Sequence, residues 1–226
     1  MDFLSVGFLS SLLTIVAIDL VLAGDNAMVI ALAARSLPAE LRKKAILWGT
    51  AGAIVIRAAM TIVVVWLLMV PGLRFTGGAV LVWIAYKLLV PHASKDKLQP
   101  HSAATFWAAM KTIVVADALM GLDNVLAVAG AAHGNFVLVS LGLMISIPLV
   151  VWGSTLMLKW IDRFPGLIYF GAGVLAWTAA QMMLDEPLLV AYLHGQPIIK
   201  AAVYLTIVSG VLFAGLLAAR RRAAFR

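Results

Sequence analysis

The chain has 226 residues, of which 64% are hydrophobic and 12% charged, with a formal net charge of +7 and a mean hydropathy of +1.05. So apolar a composition excludes an ordinary soluble domain and marks an integral membrane protein. Strand-type alternation is absent, so the expected fold class is all-α and polytopic, not a barrel.

In chain order, the apolar runs that approach the roughly 20 residues of a membrane-crossing helix are seven. They are Phe8 to Ala34, Ala45 to Val70, Phe75 to Val90, Thr105 to Ala132, Phe136 to Leu158, Gly166 to Leu184 and Pro197 to Ala219. The opening "MDFLSVGFL" carries an acidic residue where a signal peptide needs a basic one, and the apolar run behind it is too long for one. The first helix is therefore expected in the mature protein.

Alternate loops are basic: Arg35, Arg42, Lys43 and Lys44 follow the first span, Lys95 and Lys97 the third, Lys159 and Arg163 the fifth. Arg220, Arg221, Arg222 and Arg226 follow the seventh. Short cytoplasmic loops collect Lys and Arg, so the N-terminus is placed outside and the C-terminus in the cytoplasm. The positive charge then reflects topology, and no nucleic-acid partner is implied. The arginines of "ARRRAAFR" read as a solvated anchor beside membrane lipid.

The chain contains an internal repeat. "DLVLAGDN" at Asp19 to Asn26 returns as "DALMGLDN" at Asp117 to Asn124. More weakly, "GGAVLVWIAYKLL" from Gly77 returns as "GAGVLAWTAAQMM" from Gly171, about 95 residues on. Each copy covers three helices, residues 8–90 and 105–184, inside a single transmembrane domain. An odd number of spans per copy makes the second enter from the opposite side, and the helix at 197–219 is left over. Such 3+3 inverted repeats, with a site at the repeat interface, are a transporter architecture.

The repeated motif puts Asp19, Asp25, Asp117 and Asp123 near the middle of two spans. A central Asp costs about 2.5 to 3.5 kcal/mol, so the four cost roughly 10 to 14 if ionised and unpaired. Asp19 and Asn26 are seven apart and share a face, whereas Asp19 and Asp25 lie about 9 Å apart along an unbroken helix. Gly24 and Gly121 beside the second Asp tolerate unwinding. Either a local break gathers the ligands or two sites are stacked along a path. The ligand set, carboxylates with the amides of Asn26 and Asn124, is all oxygen and suits a hard divalent cation such as manganese, calcium or magnesium. Cysteine is absent and no histidine lies mid-span, which disfavours copper and zinc. The competing structural reading is interhelical glue, in which Asp and Asn hydrogen-bond across an interface. Six such residues duplicated in register favour an ion site.

Arg57, near the centre of the second span, requires an anionic partner. It either gates, pairing with an Asp until a cation arrives, or makes a permanent ion pair; both readings stay open. Lys87 and Lys111 are expected to snorkel and Pro148 to kink its helix; Thr50, Ser146, Ser154 and Thr178 could line a path, but such hydroxyls commonly pack helices together, and packing is expected. Trp83, Trp107 and Trp152 read as interface anchors. The histidines form no metal cluster, and the methionines read as packing.

The run "DLVLAGDNAMVIALAARSLPAELRKKAILWGTAGAIVIR", with "WIAYKLL" and then "DALMGLDNVLAVAGAA", resembles the TerC family of integral membrane proteins, its small YjbE-like branch in particular. The resemblance covers about Phe8 to Leu184. It implies a seven-helix inverted-repeat fold distantly related to the lysine-exporter superfamily, with efflux of metal ions, chiefly Mn2+, as the activity. The family's acidic motifs fall on Asp19, Asp25 and Asn26 and on Asp117, Asp123 and Asn124, and all six residue types match. The long cytoplasmic extension of some larger relatives is not expected here. Tellurium resistance enters as a historical label, but carboxylates should repel an oxyanion.

The expected function is thus export of a divalent cation across a bacterial cytoplasmic membrane, with no enzyme activity and no cofactor, the metal being substrate. Moving a divalent ion outward against an inside-negative potential costs about 4.6 kcal/mol per 100 mV. Protons are the expected coupling ion, about two per metal, because clustered carboxylates raise one another's proton affinity. An exporter of amino acids or other small organic solutes is the alternative, with Arg57 holding a carboxylate. An intramembrane aspartyl protease needs one Asp per helix and no paired amide, so it fits poorly.

Overall fold

The computed structural model describes residues 6–68, 70–90, 102–131, 135–193 and 195–224. Among these the chain is helical: α1 (Val6–Ala34), α2 (Ala39–Leu68), α3 (Leu73–Leu89), α4 (Ser102–Ala131), α5 (Phe136–Arg163), α6 (Leu167–Leu184), α7 (Pro187–Leu193) and α8 (Pro197–Ala224). Turn chemistry punctuates the sequence at the expected places. Gly72 and Gly195 adopt φ of 80°, a conformation L side chains resist, just ahead of α3 and α8. Pro187 and Pro197 stand at the first positions of α7 and α8, where a missing N–H costs nothing. Asn135 caps α5, its side-chain oxygen accepting from the N–H groups of Val137 at 3.0 Å and Leu138 at 3.3 Å.

Each of the seven expected runs lies on a helix, and several helices outrun their apolar stretch. α2 begins at Ala39 instead of Ala45, taking in Arg42, Lys43 and Lys44, and α5 continues to Arg163 instead of Leu158. Backbone hydrogen bonding does not stop where hydrocarbon ends, and Lys and Arg are good helix formers. The short α7 was not expected from hydropathy. The histidines at 92, 101, 133 and 194 and the lysines at 95 and 97 lie outside the described residues.

The chain divides into two compact units. The first joins residues 1–66 to 104–159, hence α1, α2, α4 and nearly all of α5. Its packing centres on Ile15, Val128, Leu138, Val139 and Leu143, with Phe8, Leu12, Ile18, Ile54 and Ala58 against them. Gly142 and Gly49 allow close approach there. A Cβ at Gly142 would stand 2.4 Å from Ile15 Cγ2, and one at Gly49 would stand 2.9 Å from Ile113 Cδ1. A smaller cluster of Leu37, Ala45 and Ala109 closes the turn between α1 and α2. That turn is tied by Arg42, whose guanidinium donates to the carbonyls of Leu37 and Arg35 at 2.8 and 2.9 Å.

The second unit holds α3, α6, α7 and α8, with α3 packed along α6 and both against α8. The α6 face is a run of small residues, Ala172, Ala176, Ala179 and Ala180, all buried. Opposite, a Cβ on Gly78 would come within 2.7 Å of the Ala179 carbonyl oxygen. Small residues let helix backbones approach where lipid supplies no hydrophobic drive.

Burial is inverted relative to a water-soluble fold. Arg57, Asp19, Asp117 and Glu186 are buried while Trp48, Trp83, Trp107, Trp152 and Leu205 are exposed. Among the described residues, three helical stretches are long and apolar enough to cross a membrane: Val137–Arg163, Leu167–Leu184 and Pro197–Arg221. A fourth arises if the two parts of α1, which meet at a 48° bend, count as one. Lys87 Nζ lies 4.8 Å from the centre of the exposed Trp83 ring.

Candidate ion site

The site lies wholly within the first unit and is assembled from one face of each helix. Asp19, Asn26 and Ile30 come from α1, Thr50, Ala53, Ile54 and Arg57 from α2, Asp117 from α4, and Leu143, Ser146 and Val150 from α5. Spacings of three, four and seven residues put each set on a single helical stripe. Together they line a cavity of about 20 Å3. That volume admits about one water-sized body.

Arg57 is the centre of this arrangement. One terminal nitrogen reaches Asp19 Oδ1 at 2.7 Å and the other reaches Asp117 Oδ1 at 2.5 Å. The three side chains are almost completely shielded, with Asp19 2%, Arg57 6% and Asp117 8% exposed. Asp19 and Asp117 occupy equivalent places in the two copies of the repeat, so one guanidinium joins the copies through matching carboxylates. At the same offset of 98 residues (19 to 117), Arg57 corresponds to Thr155. The cation is therefore not duplicated in the second copy of the motif.

Several buried polar atoms around it have no protein partner: both side-chain atoms of Asn26, Thr50 Oγ1 and Asp117 Oδ2. Ser146 Oγ donates back to the Gly142 carbonyl at 3.0 Å, as serine does inside a helix, leaving its lone pairs towards the cavity it lines. An unsatisfied buried polar group costs about 1 to 3 kcal/mol. Such a concentration of oxygens suits a small cation.

Asp25 is half-buried and does not line the cavity; its Oδ1 accepts the N–H of Asn26 at 2.9 Å. The bend in α1 lies between the segments Gly7–Asp19 and Gly24–Ala34, so Gly24 opens the second segment. α4, in contrast, is helical through Gly121. A Cβ at Gly121 would stand 3.5 Å from Arg57 Nε, ordinary contact, and one at Gly24 would meet nothing within 4 Å. Asn124 is half-buried outside the cavity lining, and the side chain of Asp123 lies outside the described residues. Of the six motif residues, the structure thus brings Asp19, Asn26 and Asp117 together. Among the described residues no three Asp, Glu, His or Cys side chains gather closely enough to hold a metal between them.

Thr50 and Ser146, expected to pack helices rather than to line a path, do line the cavity; Thr50 stands seven residues before Arg57 and so on its face. One feature the sequence did not single out is Glu186, in the second unit. Its Oε1 accepts from the N–H of Gly72 at 2.8 Å, and its Oε2 from those of Arg74 at 3.1 Å and Phe75 at 3.3 Å. Arg74 in turn donates to the Asp185 carbonyl at 2.8 Å. Gly72 has no side chain with which to cap α3, and a carboxylate 114 residues away supplies the missing acceptor.

Comparison with known proteins places the chain in a family. Residues 4–223 match the model of the integral membrane protein TerC family. The uncharacterized membrane protein YjbE of Bacillus subtilis is 45% identical over 190 residues, covering 83% of this chain and 86% of that one. The uncharacterized membrane protein YkoY of the same organism is 25% identical over 76% of this chain and 59% of its own length. The UPF0053 inner membrane protein YoaE of Escherichia coli is 25% identical over 70% of this chain and 34% of its own. No solved structure matches. On a family match spanning nearly its whole length, the chain belongs to the TerC family of integral membrane proteins.

Proposed function

We propose that this protein is a transporter that exports divalent metal cations, Mn2+ first among them, from the bacterial cytoplasm. The observation that carries the reading is the meeting of Asp19 and Asp117, one from each copy of the repeat, inside an apolar helix cluster beside the unpartnered oxygens of Asn26 and Thr50. A stability role alone would be better served by apolar side chains, because buried ion clusters are often no more stable than their hydrophobic replacements. Anionic surroundings select cations, which weighs against a tellurium oxyanion. A cavity of about 20 Å3 suits an ion better than an amino acid, and the two terminal nitrogens of Arg57 are already engaged by carboxylates.

In this reading the seven long helices each span the membrane, α1 to α3 and α4 to α6 form the inverted repeat, and the C-terminus faces the cytoplasm. Asp25 and Asn26, with Asp123 and Asn124, complete the path, and protons entering through the carboxylates drive the metal outward by alternating access. The test is uptake of Mn2+, Ca2+ or Mg2+ into proteoliposomes by the intact chain and by Asp25→Asn and Asp123→Asn. Mn2+ uptake lost in both variants is the expected result. Absence of uptake for every divalent ion, at either direction of a pH gradient, would sink the reading.

A further inference from the structure

We propose that one end of the second unit is a binding surface for anionic phospholipid, whose phosphate is taken by Arg163, Arg220 and Arg221 and whose acyl chains lie along the apolar side chains beside them. The proposal rests on the chain being a membrane protein and stands whether or not a metal is carried. Register brings these arginines to one end. α3 and α6 are antiparallel, since Gly72 meets Glu186 just past α6 and Gly78 faces Ala179. α6 and α8 are antiparallel too: Trp177 stacks on Tyr204 with ring centres 4.2 Å apart, and a Cβ on Gly173 would stand 3.9 Å from Leu212 Cδ1. From Gly173 the start of α6 at Leu167 is six residues away, and from Leu212 Arg220 is eight, about 9 and 12 Å along the helices. A tight turn joins α5 to α6, the Phe164 N–H donating to the Trp160 carbonyl at 2.7 Å and the Leu167 N–H to the Phe164 carbonyl at 2.9 Å. Arg163 therefore stands at the level of Arg220 and Arg221.

Charge is segregated along this unit. Among the described side chains, Arg163, Arg220 and Arg221 are exposed at this end against one carboxylate, Asp162, and Lys87 lies further in with its ammonium over the Trp83 ring. The opposite end balances, with Arg74 and Lys200 against Asp185 and Glu186. Among the described residues no ion pair or hydrogen bond holds the head groups of the three arginines; that of Arg163 lies 5.8 Å from the centre of the Phe164 ring. Next to them in the chain the surface is apolar: Trp160, Phe164, Phe213, Leu216 and Leu217 are all exposed. A soluble polyanion would use the arginines and leave that apolar surface in water, whereas an amphiphile with an anionic head satisfies both. Guanidinium matches phosphate through two parallel hydrogen bonds, and aromatic side chains gather at headgroup level. The sequence alone reads the terminal arginines as a solvated anchor; the fold adds Arg163 from the far side of α6.

Native mass spectrometry of the purified full-length chain in detergent, titrated with phosphatidylglycerol or with phosphatidylcholine of the same acyl chains, tests this. Phosphatidylglycerol should bind about tenfold tighter or more. Arg163→Gln combined with Arg220→Gln should bring the two lipids within about twofold of each other. Lys43→Gln combined with Lys44→Gln removes as many exposed charges from the first unit and should leave the preference intact. Equal binding of both lipids by the unaltered chain, a preference kept by the arginine variant, or an equal loss in the lysine variant would overturn the proposal. So would displacement of phosphatidylglycerol by millimolar inorganic phosphate, which would mark a site for a soluble anion. Should the arginine variant fail to fold, a photoactivatable phosphatidylglycerol in vesicles holding the unaltered chain decides. Labelling concentrated in residues 160–164 and 213–221 supports the surface, and labelling no stronger there than around Lys43 and Lys44 overturns it.

Discussion

Arg57 holds two carboxylates that belong to different copies of a repeat, and its worth depends on both. Removing one partner of a buried pair costs about 3 to 5 kcal/mol, because a charge is stranded where water cannot reach it. Arg57→Met, which strands two aspartates, should therefore lower the melting temperature sharply and abolish transport. Adding Asp19→Asn and Asp117→Asn to that variant should restore most of the stability without the transport. Recovery of folding alone would separate the structural share of the triad from the functional one; recovery of both would deny the aspartates any part in moving ions. Arg57→Lys should fall between, since a single ammonium cannot present two nitrogens to two carboxylates in the fork geometry.

For the helices, the contacts that decide packing are those of residues without side chains. On Gly78, an added methyl would meet the Ala179 carbonyl and Met183 Cγ, the latter at 2.4 Å, and a backbone oxygen has nowhere to go. Gly78→Ala should destabilise the second unit by about 1 to 3 kcal/mol, read as a lower melting temperature. Gly24→Ala meets nothing within 4 Å and should raise stability by up to about 1 kcal/mol by favouring helix. If the bend of α1 serves transport, the same change should slow metal flux, so that the two readouts move in opposite directions. Glu186→Gln keeps the shape but loses the charge against the N–H groups opening α3; a loss of about 1 kcal/mol with flux unaffected is expected.

These elements also show what could be read from the letters. Long apolar runs locate α1 to α6 and α8, because hydrophobicity over some twenty residues is a local property. The repeated Asp and Asn flag the site because charge inside an apolar helix is conspicuous. Its geometry is not local: that Asp19 and Asp117, rather than Asp19 and Asp25, would share one partner depends on how α1, α2 and α4 pack. Glu186 lay hidden for the same reason, its acceptor role resting on a helix start that lies 114 residues earlier. Thr50 was legible by its seven-residue spacing to Arg57, a pattern obscured because hydroxyls in apolar helices so often serve packing.

On the scale of the whole molecule, the units do not follow the halves of the sequence. Each unit takes helices from both copies of the repeat, α1 and α2 with α4 and α5 in one, α3 with α6 in the other. The inward charges and outward tryptophans suit a lipid surround, and the basic loops predict a C-terminus in the cytoplasm. The chain has no cysteine, so single cysteines report without background. One in place of Gly7 should react with an impermeant maleimide on intact cells, and one added after Arg226 should react only after lysis. The reverse pattern would overturn the orientation.

The interleaving has a consequence for biosynthesis. Arg57 is synthesised 60 residues before Asp117, but 38 residues after Asp19. While the ribosome is still translating α3, Asp19 is the one of the two bridging carboxylates already made, and a lone Arg at mid-bilayer costs about 2.5 to 3.5 kcal/mol on insertion scales. If α1 and α2 span the membrane as proposed above, Asp19 is expected to act first as a partner for Arg57 within the nascent chain, helping the two helices to enter as a hairpin, and only later as half of a bridge. A glycosylation-mapped fragment ending after α2 should insert less well as Asp19→Leu than unaltered, although leucine is far the more apolar residue.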